Sequence, residues 1–145
     1  MDGLKLVAFD ETDLQIVSAH VQDAVAKVGD LDYSATAKRF LLPMRRFVWE
    51  GKSTFLKPRP NERRSSLLLF DRVLSARTAG IRRDRPDEVL SLLTLRFRAG
   101  ELPGGDIELV FSADATVRLA VECIEVRLSD LGGAWEAASR PSHKV

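Results

Sequence analysis

The chain has 145 residues, of which 45% are hydrophobic and 30% are charged, a balance typical of one folded globular domain and not of a disordered chain. It has one cysteine, Cys123, and an N-terminus unlike a signal peptide, which argues against a secreted disulfide scaffold and predicts a cytoplasmic protein. No apolar run has the length of a bilayer-spanning helix, so we expect no contact with a membrane.

The net charge of +1 conceals an uneven distribution of charge along the chain. Residues 38–85, which we call the basic block, carry a net charge of +10, whereas residues 1–37 and 86–145 carry −5 and −4. Such a block is typical of a protein with an anionic partner. The simpler interpretation is that the acidic flanks fold against the block and offset its charge.

The clearest predicted element is a helix that follows a short strand at residues 4–9. Thr12 and Gln15 have the spacing of a capping box at its start, and Gly29 supplies the expected stop. Apolar residues recur between them at helical spacing, which predicts one buried stripe made of Leu14, Val17, Val21, Ala24, Val25 and Val28.

His20 lies at the border of this stripe and is the best single candidate for acid–base chemistry, because histidine titrates near neutral pH. Asp23 or Asp13 could orient it. A catalytic histidine also needs a nucleophile or a substrate pocket, and Ser18 points to another side of the helix. The ordinary interpretation is a hydrogen-bonded helix rim, which leaves His20 and Asp23 as weak catalytic candidates.

Beyond the helix, alternating apolar and polar residues predict about seven antiparallel strands. LDYSA and KRFLLPMRRFVW form an expected hairpin, in which Pro43 requires a sheet edge or a bulge. A long basic loop is expected over residues 50–64. It should be followed by a strand over residues 65–81 with a bulge near Asp71.

The later part of the chain contains two clear strand patterns and one ambiguous stretch. Residues 89–98 predict a half-buried strand with Leu93, Leu95 and Phe97 on one side. DIELVF and TVRLAV predict a hairpin whose alternate apolar residues face the core. Residues 121–131 fit a strand and also a helix. Their apolar spacing of three or four positions favours a short C-terminal helix.

These elements predict an α+β fold. We expect a curved, mainly antiparallel sheet or partial barrel of about seven strands, with one N-terminal helix and a short C-terminal helix. The same order of elements is compatible with a pleckstrin-homology-like barrel. Residues 1–135 should form a single domain, and residues 136–145 a loosely ordered tail.

No motif in the sequence predicts a cofactor or a metal ion. There is no glycine-rich phosphate loop, and two histidines with one cysteine cannot form a typical zinc site. The acidic residues of the stretch RRDRPDE alternate with arginines, which is typical of a solvated, salt-bridged turn. Cys123 lies between Glu122 and Glu125, a setting that suits a small core residue better than a nucleophile.

The basic block contains the best candidates for a binding surface. In a strand, Phe47 and Trp49 would share one face and Arg46 the other, so we expect aromatic residues in the core and arginines on the surface. The same cations could serve a protein partner, or a nucleic acid or another polyanion. The candidate binding residues are Arg45, Arg46, Trp49, Lys57, Arg59, Arg63 and Arg64.

Several segments resemble a family of small alphaproteobacterial proteins known only as a domain of unknown function. The resemblance is carried by HVQDAVAKVGDLDY, RRFVWE, RRSSLLLFDRVLSARTAGI, VLSLLTLRF, VECIEVRLSDLGGAW and RPSH. It covers nearly the whole chain except the divergent loop 50–62. It implies a bacterial cytosolic single-domain protein, and it implies no activity, cofactor or catalytic residue.

Taken together, these patterns predict a non-enzymatic protein-binding or accessory module, with an unknown protein partner and an undetermined oligomeric state. The first alternative is binding of a nucleic acid or another polyanion through the basic block. The second alternative is an undetected enzyme that uses His20.

Overall fold

A computed structural model describes residues 3–48 and 63–131 of the chain. The predictions for Trp49, Lys57 and Arg59 and for the tail 136–145 therefore lie outside the described residues. The elements in chain order are β1 (Lys5–Ala8), α1 (Glu11–His20), β2 (Val25–Lys27), a 3-10 helix (Val28–Asp30), β3 (Asp32–Ser34), β4 (Arg39–Phe47), β5 (Arg63–Asp71), β6 (Val73–Ala79), β7 (Val89–Ala99), β8 (Gly105–Phe111), β9 (Thr116–Val121) and β10 (Val126–Asp130).

These strands form one antiparallel sheet in the order β1-β10-β5-β4-β2-β7-β8-β9-β6, with β3 paired to β4 outside this path. The described residues therefore confirm a mainly antiparallel sheet with one N-terminal helix. With ten strands and one α-helix in the described residues, the fold is mainly β. The sheet is open, so it is not a closed barrel of the pleckstrin-homology type. The described part of the chain contains ten strands and not about seven.

Part of the difference in strand number arises at one corner of the sheet. Arg72 has a φ angle of 63°, in the left-handed region, and turns the chain between β5 and β6. Asp71 donates its N–H to the carbonyl of Glu125 at 2.9 Å, and Glu122 donates to the carbonyl of Arg72 at 2.9 Å. The predicted single strand over residues 65–81 is therefore two strands. The register shift lies between Val73 and Ser75.

The N-terminal helix is shorter than its apolar stripe predicts. Asp10, and not Thr12, caps α1, because its Oδ1 accepts the N–H of Asp13 at 2.8 Å. The helix ends at His20 because the next backbone segment pairs with β7. The N–H of Asp23 reaches the carbonyl of Leu92 at 2.7 Å, and the N–H of Leu92 returns to Ala24 at 2.7 Å. The last turn of the predicted helix is therefore the strand β2.

The favoured C-terminal helix over residues 121–131 is also wrong. Residues 126–130 form β10, which lies between β1 and β5 and pairs with both strands. Its alternate residues Val126 and Leu128 are fully buried. Backbone hydrogen bonding to β1 and β5 outweighs the local helical spacing of the apolar residues. The sequence alone does not show that these two strands are available as partners.

One core lies on the inner face of the curved sheet. The predicted hairpin of β8 and β9 is confirmed, and its alternate apolar residues are all buried there. α1 packs against β1 and β7 and adds Leu14 and Val17. Further buried apolar residues on the other strands include Phe40, Leu42, Met44, Leu68, Phe70, Val73, Leu90, Leu92, Leu95, Val126 and Leu128.

Strand β7 changes its inward face in the middle. Leu90, Leu92 and Leu95 are buried, whereas Leu93 is 43% exposed, contrary to the predicted inward position of Leu93. A register shift against β8 between Leu92 and Thr94 causes the change. Ser18 of α1 supports this bulge, because its Oγ accepts the N–H of Leu95 at 3.0 Å.

Candidate functional site

The basic block contributes one arginine to the interior of the protein. On β4, Phe40, Leu42, Met44 and Arg46 alternate toward the core, and the side chain of Arg46 is 0% exposed. Its Nε donates to Oδ1 of Asp130 at 2.8 Å and its Nη2 to Oδ2 at 2.7 Å, a two-point ion pair. The expected arrangement is thus reversed here: Arg46 lies in the core, and Phe47 is only half-buried.

Asp130 is the centre of this buried cluster. Its Oδ1 also accepts the hydroxyl of Ser66 at 2.6 Å, and its Oδ2 accepts the N–H of Leu4 at 2.9 Å. Burial disfavours the charged carboxylate, but the hydrogen bonds from Arg46, Ser66 and Leu4 outweigh it and lower the pKa of Asp130. The cluster ties β4, β5 and β10 to the segment before β1, which is a structural task.

The opposite face of β4 and β5 carries apolar side chains where a solvent-facing sheet normally carries polar ones. Leu41 lies opposite Leu69, and Pro43 lies opposite Leu67, and all four are half-buried. We call these four residues the outer strip. Apolar side chains on both faces are typical of strands that are covered on both faces.

A gap in strand pairing lies beside the outer strip. β3 pairs with β4 only over residues 39–41, and β2 meets β4 only where Val25 lies opposite Arg45. Pro43, which has no N–H to donate, falls between these two contacts. A cavity of about 400 Å³ lies there, lined by Val25, Ala26, Lys27, Asp30, Pro43, Met44, Arg45, Ser65, Ser66, Val89 and Leu131.

Cations lie along part of the border of the outer strip, and the acidic residues Asp32 and Asp71 lie at its Leu41–Leu69 end. Arg45 lies next to Pro43 and is exposed, and it makes no ion pair with any residue in the described ranges. The guanidinium of Arg63 lies 4.3 Å from the centre of the Phe47 ring. Arg127 lies opposite Leu69 and within 4.0 Å of Glu125. Together with Lys5 and Lys27, these residues form what we call the cationic rim, namely Lys5, Lys27, Arg45, Arg63 and Arg127.

Other cations of the basic block are paired with acidic residues. Lys38 contacts Glu122 at 3.1 Å, and Arg72 contacts Glu125 at 3.4 Å. With Arg46 and Asp130, these pairs join the block to the acidic flank after residue 86, as the simpler interpretation expects. Arg64 lies opposite Arg46 on the inner side of β5 and is therefore not part of the cationic rim.

The catalytic candidates lie elsewhere. His20 is the last residue of α1, and its Nδ1 lies 2.9 Å from the carbonyl oxygen of Ile16. Asp23 is not on the helix and has a φ angle of 66°. The predicted helical spacing between His20 and Asp23 therefore does not exist. Neither residue lines the cavity beside the outer strip or the second cavity described below.

The remaining candidates near α1 have structural partners. Asp13 belongs to the cap of the helix, and Ser18 supports the bulge in β7. In residues 3–48 and 63–131, no group of three or more His, Cys, Asp and Glu side chains could hold a metal ion. Within these same ranges, no helix combines the length and apolar composition that a membrane crossing requires.

Comparison with known proteins gives the chain a family. DUF2948, described as a protein of unknown function, matches residues 4–143. The chain belongs to the DUF2948 family. The match confirms the resemblance to a domain of unknown function. No curated protein and no solved structure shows a significant match.

Proposed function

We propose that this DUF2948 protein is a non-enzymatic protein-binding module, and that its binding surface is the outer strip with the cationic rim. The observation that supports the proposal is the apolar face of β4 and β5, which lies on the side of the sheet away from the core. Covering apolar area is the main favourable contribution to most protein associations.

The positive charge of the cationic rim favours a partner with acidic residues. Arg45 and Lys27 are exposed cations beside Pro43, and Arg63 and Arg127 extend the positive surface along β5 and β10. Charge complementarity chiefly increases the rate of encounter and the specificity. The partner we propose is therefore a protein segment with one apolar face and acidic residues on its borders.

A charge reversal tests this surface. Native lysate is passed over the immobilised wild-type protein and over the immobilised Arg45→Glu variant. We expect the variant to recover the partner about tenfold less well, because its glutamate repels the acidic residues of the partner. Arg98→Glu is the matched control, since Arg98 is also exposed on a strand and lies on β7, away from the proposed surface. Recovery is measured by quantitative mass spectrometry of the eluates. A partner retained equally by both variants would contradict the proposed surface.

Binding of a nucleic acid or another polyanion is the second candidate function. It is supported by the same exposed cations, Lys5, Lys27 and Arg45, which make no ion pair with the described residues. We expect labelled single- and double-stranded DNA to bind at low salt with an affinity that falls steeply as salt rises, because bound counterions are released. Fluorescence anisotropy measures this. Binding that ignores both salt and Arg45→Glu would rule out this candidate.

The finer features of the protein are part of the same proposal. We infer a cytoplasmic, single-domain protein of alphaproteobacterial origin from the lone Cys123, the chain length and the resembling segments. An enzyme that uses His20 stays a prediction from the sequence.

A further inference from the structure

Two strand edges lie on either side of a second cavity. In the described residues, β3 pairs only with β4, and β6 pairs only with β9, so each has one edge without a neighbouring strand. The cavity between them has a volume of about 400 Å³. We call it the side groove, and it is lined by Val28, Gly29, Leu31, Tyr33, Phe40, Ala76, Thr78, Ile81 and Arg83.

One end of the side groove is closed. The N–H of Val73 donates to the carbonyl of Lys38 at 2.9 Å, and the hydroxyl of Tyr33 donates to the carbonyl of Val73 at 3.1 Å. The Tyr33 side chain therefore bridges β3 and β6 at this end of the groove. Paired strands lie about 4.8 Å apart, and an extended segment at this distance from the open edge of β6 can pair with it.

The other end of the side groove carries charge. After β6 the chain turns at Gly80, whose φ angle is 72°, and places Ile81 and Arg83 at the groove. Arg83 is the charged residue among those that line the cavity, and the floor is apolar, with Phe40 and Val28 buried. The groove therefore offers backbone hydrogen-bonding groups along its sides, apolar contacts below, and one cation at its end.

We propose that the side groove binds an extended segment of a partner protein, which pairs with the open edge of β6 beside β3 and places an acidic side chain at Arg83. Open strand edges recognise extended backbone through main-chain hydrogen bonds, and the pockets between them select alternate side chains. β6 is suited to this, because it has seven residues and only Arg77 as a charge along its edge. This proposal concerns a different surface from the outer strip and does not depend on the function proposed there.

A displayed library of random peptides of about seven residues, the length of β6, tests the proposal. We expect wild-type protein to enrich peptides with alternating β-branched residues and one acidic residue. A synthetic copy of an enriched peptide should slow amide hydrogen exchange in residues 73–79 and 32–34. Thr78→Trp, which fills the groove from an exposed position, should abolish binding without unfolding the protein.

A charge swap isolates the contribution of Arg83. Arg83→Glu should weaken the acidic peptide by about tenfold and should itself select peptides with a basic residue. Arg82→Glu is the matched control, because Arg82 is an exposed neighbour that does not line the groove. Both variants are first checked for an unchanged unfolding transition, so that a loss of binding reports the groove.

Three results would overturn the proposal. The first is a library that enriches no common pattern on the wild-type protein, or the same pattern on Thr78→Trp. The second is exchange protection that lies outside β3 and β6. The third is protection of β6 that rises with protein concentration in the absence of peptide, together with a dimer in sedimentation, because the occupant would then be a second copy of the chain.

Discussion

Replacing Asp130 with asparagine is expected to lower the free energy of unfolding by about 3–5 kcal/mol, because it removes the charged partner in a buried, two-point ion pair with Arg46. Arg46 and Asp130 are 0% and 2% exposed, so water cannot take over the lost interaction. The same substitution weakens the acceptor for Ser66. Urea denaturation of both proteins, followed by circular dichroism, measures the difference.

A second arginine–aspartate pair provides the matched control. Arg39 and Asp71 also lie opposite each other on β4 and β5, with 2.9 Å between Nε and Oδ1, but the Arg39 side chain is 46% exposed. We expect Asp71→Asn to cost no more than about 1 kcal/mol, because solvent screens this pair. Equal costs for the two substitutions would show that the buried cluster does not stabilise the fold as described.

The pH dependence of the free energy of unfolding should differ between the wild type and Asp130→Asn. The folded-state pKa of Asp130 is lowered, so its ionisation stabilises the fold fully above the ordinary aspartate value of about 3.9. That stabilisation is lost as the pH falls through the lower folded-state value. Asp130→Asn lacks this contribution, so its stability should fall less steeply than that of the wild type over this acid range.

Replacing Leu92 with alanine should destabilise the protein by about 2–5 kcal/mol, because it opens a cavity in a packed core. The neighbouring Leu93→Ala should change the free energy of unfolding by no more than about 0.5 kcal/mol, because Leu93 is 43% exposed. The alternation of residues 89–98 predicts the opposite order. The same urea denaturation tests which residue faces the core.

This pair of variants is a direct test of the bulge in β7. Both substitutions remove the same atoms from adjacent leucines, so strand propensity and side-chain size cancel in the comparison. A larger cost for Leu93→Ala would place the register shift elsewhere and would put in question the contact between Ser18 and Leu95.

The sequence predicts elements well where their stabilising contacts are local. The hairpin of β8 and β9 follows from short-range alternation and a tight turn, and the structure confirms it. The predictions fail where distant strands decide the outcome. Residues 25–27 and 126–130 have helical spacing, but each pairs with strands that are far away in the chain. The stabilisation from these long-range pairings cannot be predicted from a local sequence pattern.

In the candidate site, too, features with a local sequence pattern could be predicted and features that depend on distant residues could not. The outer strip had a signal in the continuous apolar runs of LLPM and LLLF, which are typical of strands with two covered faces. The burial of Arg46 had no such signal, because its partner Asp130 lies 84 positions away. The side groove depends on which strand edges remain unpaired, and this becomes visible only when the whole sheet is assembled.

The position of β1 has a consequence for the growing chain on the ribosome. Among residues 3–48 and 63–131, β1 pairs with β10 alone, and the N–H of Leu4 bonds to Asp130, a partner 126 positions later. Residues 5–8 therefore lack this partner until residues 126–129 have been synthesised. Contacts of such sequence separation form late and slow the folding reaction. An unpaired strand segment of this kind is exposed to chaperones and proteases during synthesis.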